Sequence, residues 1–145
     1  MIFNTEGTEH TEMNQMKPNE LTERIIGAAV RVHRELGPGL LESAYEACLA
    51  HELADGGLKV ERQKSLPVNY RGLQLDEGYR IDLLVGDMIV VELKAVSRLD
   101  PIHEAQLLSY LRLSGKPVGL LINFHVPKLT DGVRRVVNGP HALPP

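Results

Sequence analysis

Apolar positions recur at spacings of three and four at the start of the patterned region: Leu21, Ile25, Ala28, Val32 and Leu36. Such spacing lays them along one stripe of an α-helix over about residues 20–36. Asn19 suits its N-cap, and Glu20 and Glu23 fall in the first turn, where the helix dipole favours acids. Gly37-Pro38-Gly39 stops it. A second helix is predicted over about 41–55, with Leu41, Tyr45, Cys48, Leu49 and Leu53 as its buried stripe and Asp55-Gly56-Gly57 as its end. Glu42 sits in its first turn, at the edge of that stripe. From Leu58 to Tyr70 the chain alternates loosely, as a strand interrupted at Pro67 does. Arg71-Gly72 reads as a turn.

The strongest pattern is the stretch 78–96, GYRIDLLVGDMIVVELKAV. Two runs rich in Ile, Leu and Val flank Gly86-Asp87, the signature of a β-hairpin. The second run, Met88 to Val96, is apolar on both alternations except at Glu92 and Lys94, so it predicts a central strand covered on both faces. A buried charge is costly without a partner. Asp82 interrupts the first run in the same way. Side chains alternate along a strand, so the length of the hairpin loop decides whether Asp82 and Glu92 meet. A two-residue turn pairs Val85 with Met88 and sends Glu92 to the opposite face from Asp82. A three-residue loop, Gly86 to Met88, sets Asp82 directly across from Glu92. A shared site requires the second register, or a bulge that restores the parity.

Asp100-Pro101 starts a third helix, which runs to about Leu113 and ends at Gly115-Lys116-Pro117. Leu107, Leu108 and Leu111 form one stripe on it; Ile102, Gln106, Tyr110 and Leu113 form another. Residues 118–124, VGLLINF, predict a buried strand, and 132–137 either a last strand or a helical turn. Residues 1–18 and 139–145 read as flexible tails around one domain, 19–138. The order of elements implies an α/β fold, a mixed central sheet flanked by helices. The third helix makes a right-handed crossover between two parallel strands.

Composition narrows the chemistry. The chain has 145 residues, 43% hydrophobic and 24% charged, enough for a proper core. With 4% aromatics and no Trp, that core must be aliphatic. A net charge of −3 argues against gripping nucleic acid with the whole surface, though not against a local basic groove. Arg24, Arg31, Arg34, Arg62, Lys64 and Arg71 could rim such a groove or simply be solvated. Cys48 is the one cysteine, so no disulfide or CxxC site is expected within the chain. No apolar run is long enough for a bilayer, and the first residues lack a signal-peptide pattern; a soluble cytoplasmic protein is expected. The six histidines show no metal-binding spacing, and no Gly-rich phosphate loop is present.

Taken singly, each polar candidate has an ordinary reading. Glu92 and Lys94 could be the wet face of an edge strand, Asp82 a partner of Arg80, Glu42 an acid in a first turn, and Gln106 a buried amide. Tyr45 and Tyr110 could be core residues with a polar tip. A single site explains them together. Two carboxylates on adjacent strands suit a hard cation such as Mg²⁺, which takes oxygen ligands and keeps waters; the main-chain carbonyl of Leu93 could add a ligand. Lys94, two residues past Glu92 and on its face, could then orient a water or offset developing charge.

Three motifs carry a resemblance. Gly39-Leu40-Leu41-Glu42-Ser43-Ala44-Tyr45 stands as GxxExxY, Asp82 followed by Glu92-Leu93-Lys94 as an Asp…ExK signature, and Gln106 to Tyr110 as QxxxY. The chain resembles the GxxExxY protein family of the PD-(D/E)XK nuclease superfamily over about residues 20–138, with Ile81 where the signature's proline would stand. The resemblance implies a restriction-endonuclease-like core and Mg²⁺-dependent cleavage of nucleic-acid phosphodiesters, with Mn²⁺ as a substitute and DNA favoured over RNA. It implies Asp82 and Glu92 as metal ligands, Lys94 as the catalytic lysine, and Glu42 as the helix acid that holds a second metal or its water. Gln106 would act beside them, with Tyr110 and Tyr45 in support. A homodimer or a partner protein could complete the grip on substrate. The alternative is a nuclease-fold module for binding or assembly, without turnover.

Overall fold

The fold is that of a computed structural model, which describes residues 16–139. The expected tails lie mostly outside those residues. Helix α1, Pro18–Leu36, begins two residues earlier than the pattern predicts. Pro18 takes the first helical position, where its missing N–H costs nothing, and Lys17 is the extended residue before it. Asn19 therefore falls inside the first turn, where its side chain accepts a hydrogen bond from Arg135 instead of capping the helix. Leu21, Ile25, Ala28, Ala29 and Val32 form the buried face.

Helix α2, Glu42–Asp55, buries Tyr45, Glu46, Leu49, Ala50 and Leu53. Leu41 does not join that stripe: it is the extended residue before the helix and is 78% exposed. Cys48 is only partly buried.

Strands β1 (Val60–Ser65), β4 (Arg80–Val85), β5 (Ile89–Lys94), β6 (Val118–Asn123) and β7 (Val133–Val137) form one five-stranded sheet in the order β1-β4-β5-β6-β7. The loose strand predicted over 58–70 is divided. Pro67 ends β1, and β2 (Val68–Tyr70) turns back through Arg71-Gly72 to pair with β3 (Leu73–Leu75) as a separate hairpin. That turn has positive φ at both central residues, 48° and 86°, as type I′ requires. Helix α3, Pro101–Ser114, carries the chain from β5 to β6, which run parallel; the other pairings in the large sheet are antiparallel. Residues 133–137 are a strand, preceded by a 3-10 turn at Leu129–Gly132. A Cβ at Gly132 would run into the Asn123 carbonyl, so the turn can sit against the end of β6 only with glycine there.

Two apolar layers fix the faces. Leu83, Val85, Val91, Leu93, Leu120 and Ile122 pack with α1 and α2 on one side. Leu84, Val90 and Leu121 pack with Leu107, Tyr110 and Leu111 of α3 on the other. The second stripe expected on α3 is not buried as a unit: Ile102 and Leu113 are 69% and 42% exposed, because α3 seats on the sheet through its Leu107–Leu111 ridge.

Candidate active site

The site is built by the register of β4 and β5. Val85 pairs with Ile89, Leu84 with Val90 and Leu83 with Val91, so the loop is the three-residue one, Gly86 to Met88. Gly86 and Asp87 both have positive φ, 61° and 55°, and the Met88 N–H closes the turn on the Val85 carbonyl at 3.1 Å. Met88 is the extra residue that sets the parity. Continued toward Arg80, this register places Asp82 across from Glu92.

The two carboxylates are interlocked through the backbone. The Asp82 N–H donates to Glu92 Oε2 at 2.9 Å, and the Leu93 N–H donates to Asp82 Oδ2 at 2.8 Å. Glu92 is 7% exposed, and Asp82 and Lys94 are half-buried. Glu92 lies two residues from Val90 and Asp82 two from Leu84, so by strand alternation all these side chains belong to the face that α3 covers. Lys94 is on that face too, and among the described residues its ammonium has no hydrogen bond or ion pair. On α3, the exposed Gln106 donates from Nε2 to the Tyr110 hydroxyl at 3.1 Å, and Tyr110 meets Tyr79 edge-on at 6.3 Å between ring centroids.

The electrostatics show a surplus of negative charge. Burial pushes the Glu92 carboxyl up to about 9; the charge of Asp82 adds to the rise, while the hydrogen bond from the Asp82 backbone and the charge of Lys94 oppose it. The Tyr110 hydroxyl is also raised, by burial first and by the Glu92 charge second. A pair of acids that must hold a proton when alone is a pair that fits a cation. Among the described residues no group of three or more His, Cys, Asp or Glu converges into a complete metal cage. The oxygen donors brought together here are the two carboxylates of Asp82 and Glu92. Mg²⁺ is usually bound this way, through one or two carboxylates with water and substrate phosphate filling the rest.

The other sequence candidates lie elsewhere. Glu42 is exposed in the first turn of α2, and among the described residues no hydrogen bond or ion pair joins it to the acids. Tyr45 is fully buried in the layer of α1 and α2, stacked on Phe124 at 4.4 Å. Its hydroxyl donates to the Gly37 carbonyl at 2.6 Å and accepts from the Leu40 N–H at 3.0 Å, tying the Gly37-Pro38-Gly39 loop to α2. Asp82 is not paired with Arg80, whose guanidinium reaches the Gln63 carbonyl instead.

Sequence reasoning passed over Glu46, one helical turn beyond Glu42. It is 6% exposed. Arg62 donates to its Oε2 from Nε and Nη2 at 3.2 and 3.1 Å, and Gln63 Nε2 donates to its Oε1 at 2.5 Å. The same Gln63 nitrogen lies 3.3 Å from Asp82 Oδ1. The available signal was a charge on the apolar stripe: Glu46 stands three residues before Leu49 and seven before Leu53.

A mixed sheet with helices on both faces, and an interlocked acid pair with a lysine on adjacent central strands, define a restriction-endonuclease-like fold. The sequence model of the PD-(D/E)XK nuclease superfamily matches residues 19–136, and the chain belongs to that superfamily. No curated protein and no solved structure matches it. No helix among the described residues is long and apolar enough to cross a membrane.

Proposed function

We propose that the protein is a Mg²⁺-dependent nuclease that hydrolyses nucleic-acid phosphodiester bonds, DNA before RNA, and that it belongs to the GxxExxY branch of its superfamily. The observation that carries this is the Asp82–Glu92 pair, face to face across β4 and β5, each holding a main-chain N–H of the other's strand. Packing alone gives no reason to place two acids there, one of them 7% exposed.

Asp82, Glu92 and the Leu93 carbonyl would hold the cation. When bound, it supplies positive charge to a phosphoryl oxygen and acidifies a water molecule. The chain's own groups do the rest. Asp82 is fixed by the Leu93 N–H, so its carboxylate is aimed before substrate arrives. Glu92 would release its proton to solvent on binding the cation and so present a carboxylate to it. Lys94, free of other partners among the described residues, orients the attacking water and offsets charge that develops on the phosphate. Tyr110, whose hydroxyl feels the Glu92 charge, would support the site from α3, with Gln106 bonded to it.

The test is a cleavage panel of duplex and single-stranded DNA and RNA in Mg²⁺, Mn²⁺ or EDTA. Wild type, Asp82→Ala and Lys94→Ala proteins are run together. Cleavage by wild type in the divalent ions, lost in both variants, supports the proposal. Absence of cleavage, with a melting temperature indifferent to both ions, refutes it and leaves the binding or assembly module.

A further inference from the structure

We infer that Gln63 is a positioning residue: its side-chain amide couples the buried Glu46 of α2 to Asp82 and sets the rotamer in which Asp82 meets the cation. The inference rests on the reading of Asp82 as a metal ligand.

Three observations carry it. The first is backbone strain. Gln63 has φ of 49°, in the left-handed region, although it lies inside β1. A non-glycine residue is uncommon there, and the conformation persists only where the surroundings enforce it. The ladder shows the same distortion. Arg62 pairs with Leu83 and Lys64 with Ile81, but between them Gln63 and Asp82 make no ladder pair. The strand has yielded a main-chain pairing at the position that faces the acid.

The second observation is what the distorted residue does with its side chain. One nitrogen, Nε2, reaches Glu46 Oε1 at 2.5 Å and Asp82 Oδ1 at 3.3 Å. An amide nitrogen carries two hydrogens, so it can serve both oxygens at once. The third is that Glu46 is already satisfied. Arg62 occupies its Oε2 and Gln63 its Oε1, so this acid acts as an anchor, held on a helix behind the edge strand. Asp82 is then gripped at both oxygens, Oδ1 from Gln63 and Oδ2 from the Leu93 N–H. Gln63 makes only a long hydrogen bond to Asp82, which it can release or tighten as a cation arrives, while the strong bond to Glu46 keeps the amide in place.

Two substitutions separate backbone from bridge. Gln63→Gly removes both the strain and the amide; Gln63→Asn tolerates left-handed φ and keeps an amide, but is one methylene too short to span both acids. The measurement is the thermal stabilisation of each protein against Mn²⁺ and Mg²⁺ concentration, beside unfolding in EDTA and nuclease kinetics. The expected result is that both variants stay folded in EDTA, with Gln63→Gly losing no more stability than Gln63→Asn because glycine relieves the strain. Both variants need at least tenfold more metal for half-maximal stabilisation, and kcat falls with KM for nucleic acid little changed. A wild type that responds to metal, with both variants responding at the same concentrations, overturns the inference alone. A wild type with no metal response overturns the nuclease reading, and this inference with it.

Discussion

Replacing Glu92 by Gln removes one charge from the acid pair with almost no change of shape. The Oε1 of the amide can still accept the Asp82 N–H that Oε2 accepts now at 2.9 Å. In the metal-free protein the folded state holds the Glu92 proton up to a pH of about 9, against 4.5 for the free group. The folded chain therefore binds more protons than the unfolded chain across that window, and stability must fall as pH rises through it. The contribution is fully present below pH 4.5 and wholly lost above about 9. At pH 7 the loss comes to about 3 kcal/mol, a large part of the roughly 5–15 kcal/mol that holds an ordinary domain together. Glu92→Gln has no such proton to lose. In EDTA at pH 7 it should be the more stable protein, with its urea midpoint higher by about 1–3 M for a common m-value. Its midpoint should also be flatter between pH 5 and 9 than that of wild type. Saturating Mg²⁺ should reverse the order, because only the wild type keeps both carboxylates for the ion. Urea titrations at several pH values, with and without metal, measure all of this. Equal pH slopes for the two proteins in EDTA would refute the account of a buried acid held neutral by burial and by Asp82.

Lys94→Met should unfold close to wild type, since the ammonium makes no hydrogen bond or ion pair among the described residues; single-turnover cleavage should drop by about a hundredfold or more. Leu107→Ala should cost about 2–5 kcal/mol by urea unfolding, because Leu107 is fully buried against Gly119 at the centre of the α3 layer. Tyr45→Phe loses the bonds to the Gly37 carbonyl and the Leu40 N–H. It should cost about 1–2 kcal/mol, with faster amide exchange at Leu40 as the local readout. Glu46→Ala leaves Arg62 and Gln63 without their shared acceptor and should destabilise by about 1–3 kcal/mol in the same urea assay.

Local pattern made most of the elements legible. The three-and-four spacing of Leu21 to Val32 fits α1, and Asp100-Pro101 stands at the start of α3. The apolar run at 118–123 is a buried strand, and the parallel pairing of β5 with β6 follows from the helix between them. The charges inside the 78–96 hairpin were visible too, together with the parity condition that decides whether Asp82 and Glu92 can meet. Local physics set these features: periodicity, caps and breakers act within a few residues.

What the sequence left open depended on contacts between distant segments. Whether the loop had two residues or three was settled by the pairing of Leu83, Leu84 and Val85 with β5, where each residue must face its own apolar layer. Pro67 announced a break, but only the fold shows β2 turning to β3 in a hairpin of its own. Leu41 sits in the periodic pattern of α2 yet stays in water, because the helix starts one residue later. The sharpest case is the acid of α2. Glu42 and Glu46 are one turn apart, and the motif pointed to the first. Only the packing of α2 beside β1 buries the second and brings Arg62 and Gln63 onto it, because a charge finds its partners in three dimensions and not along the chain.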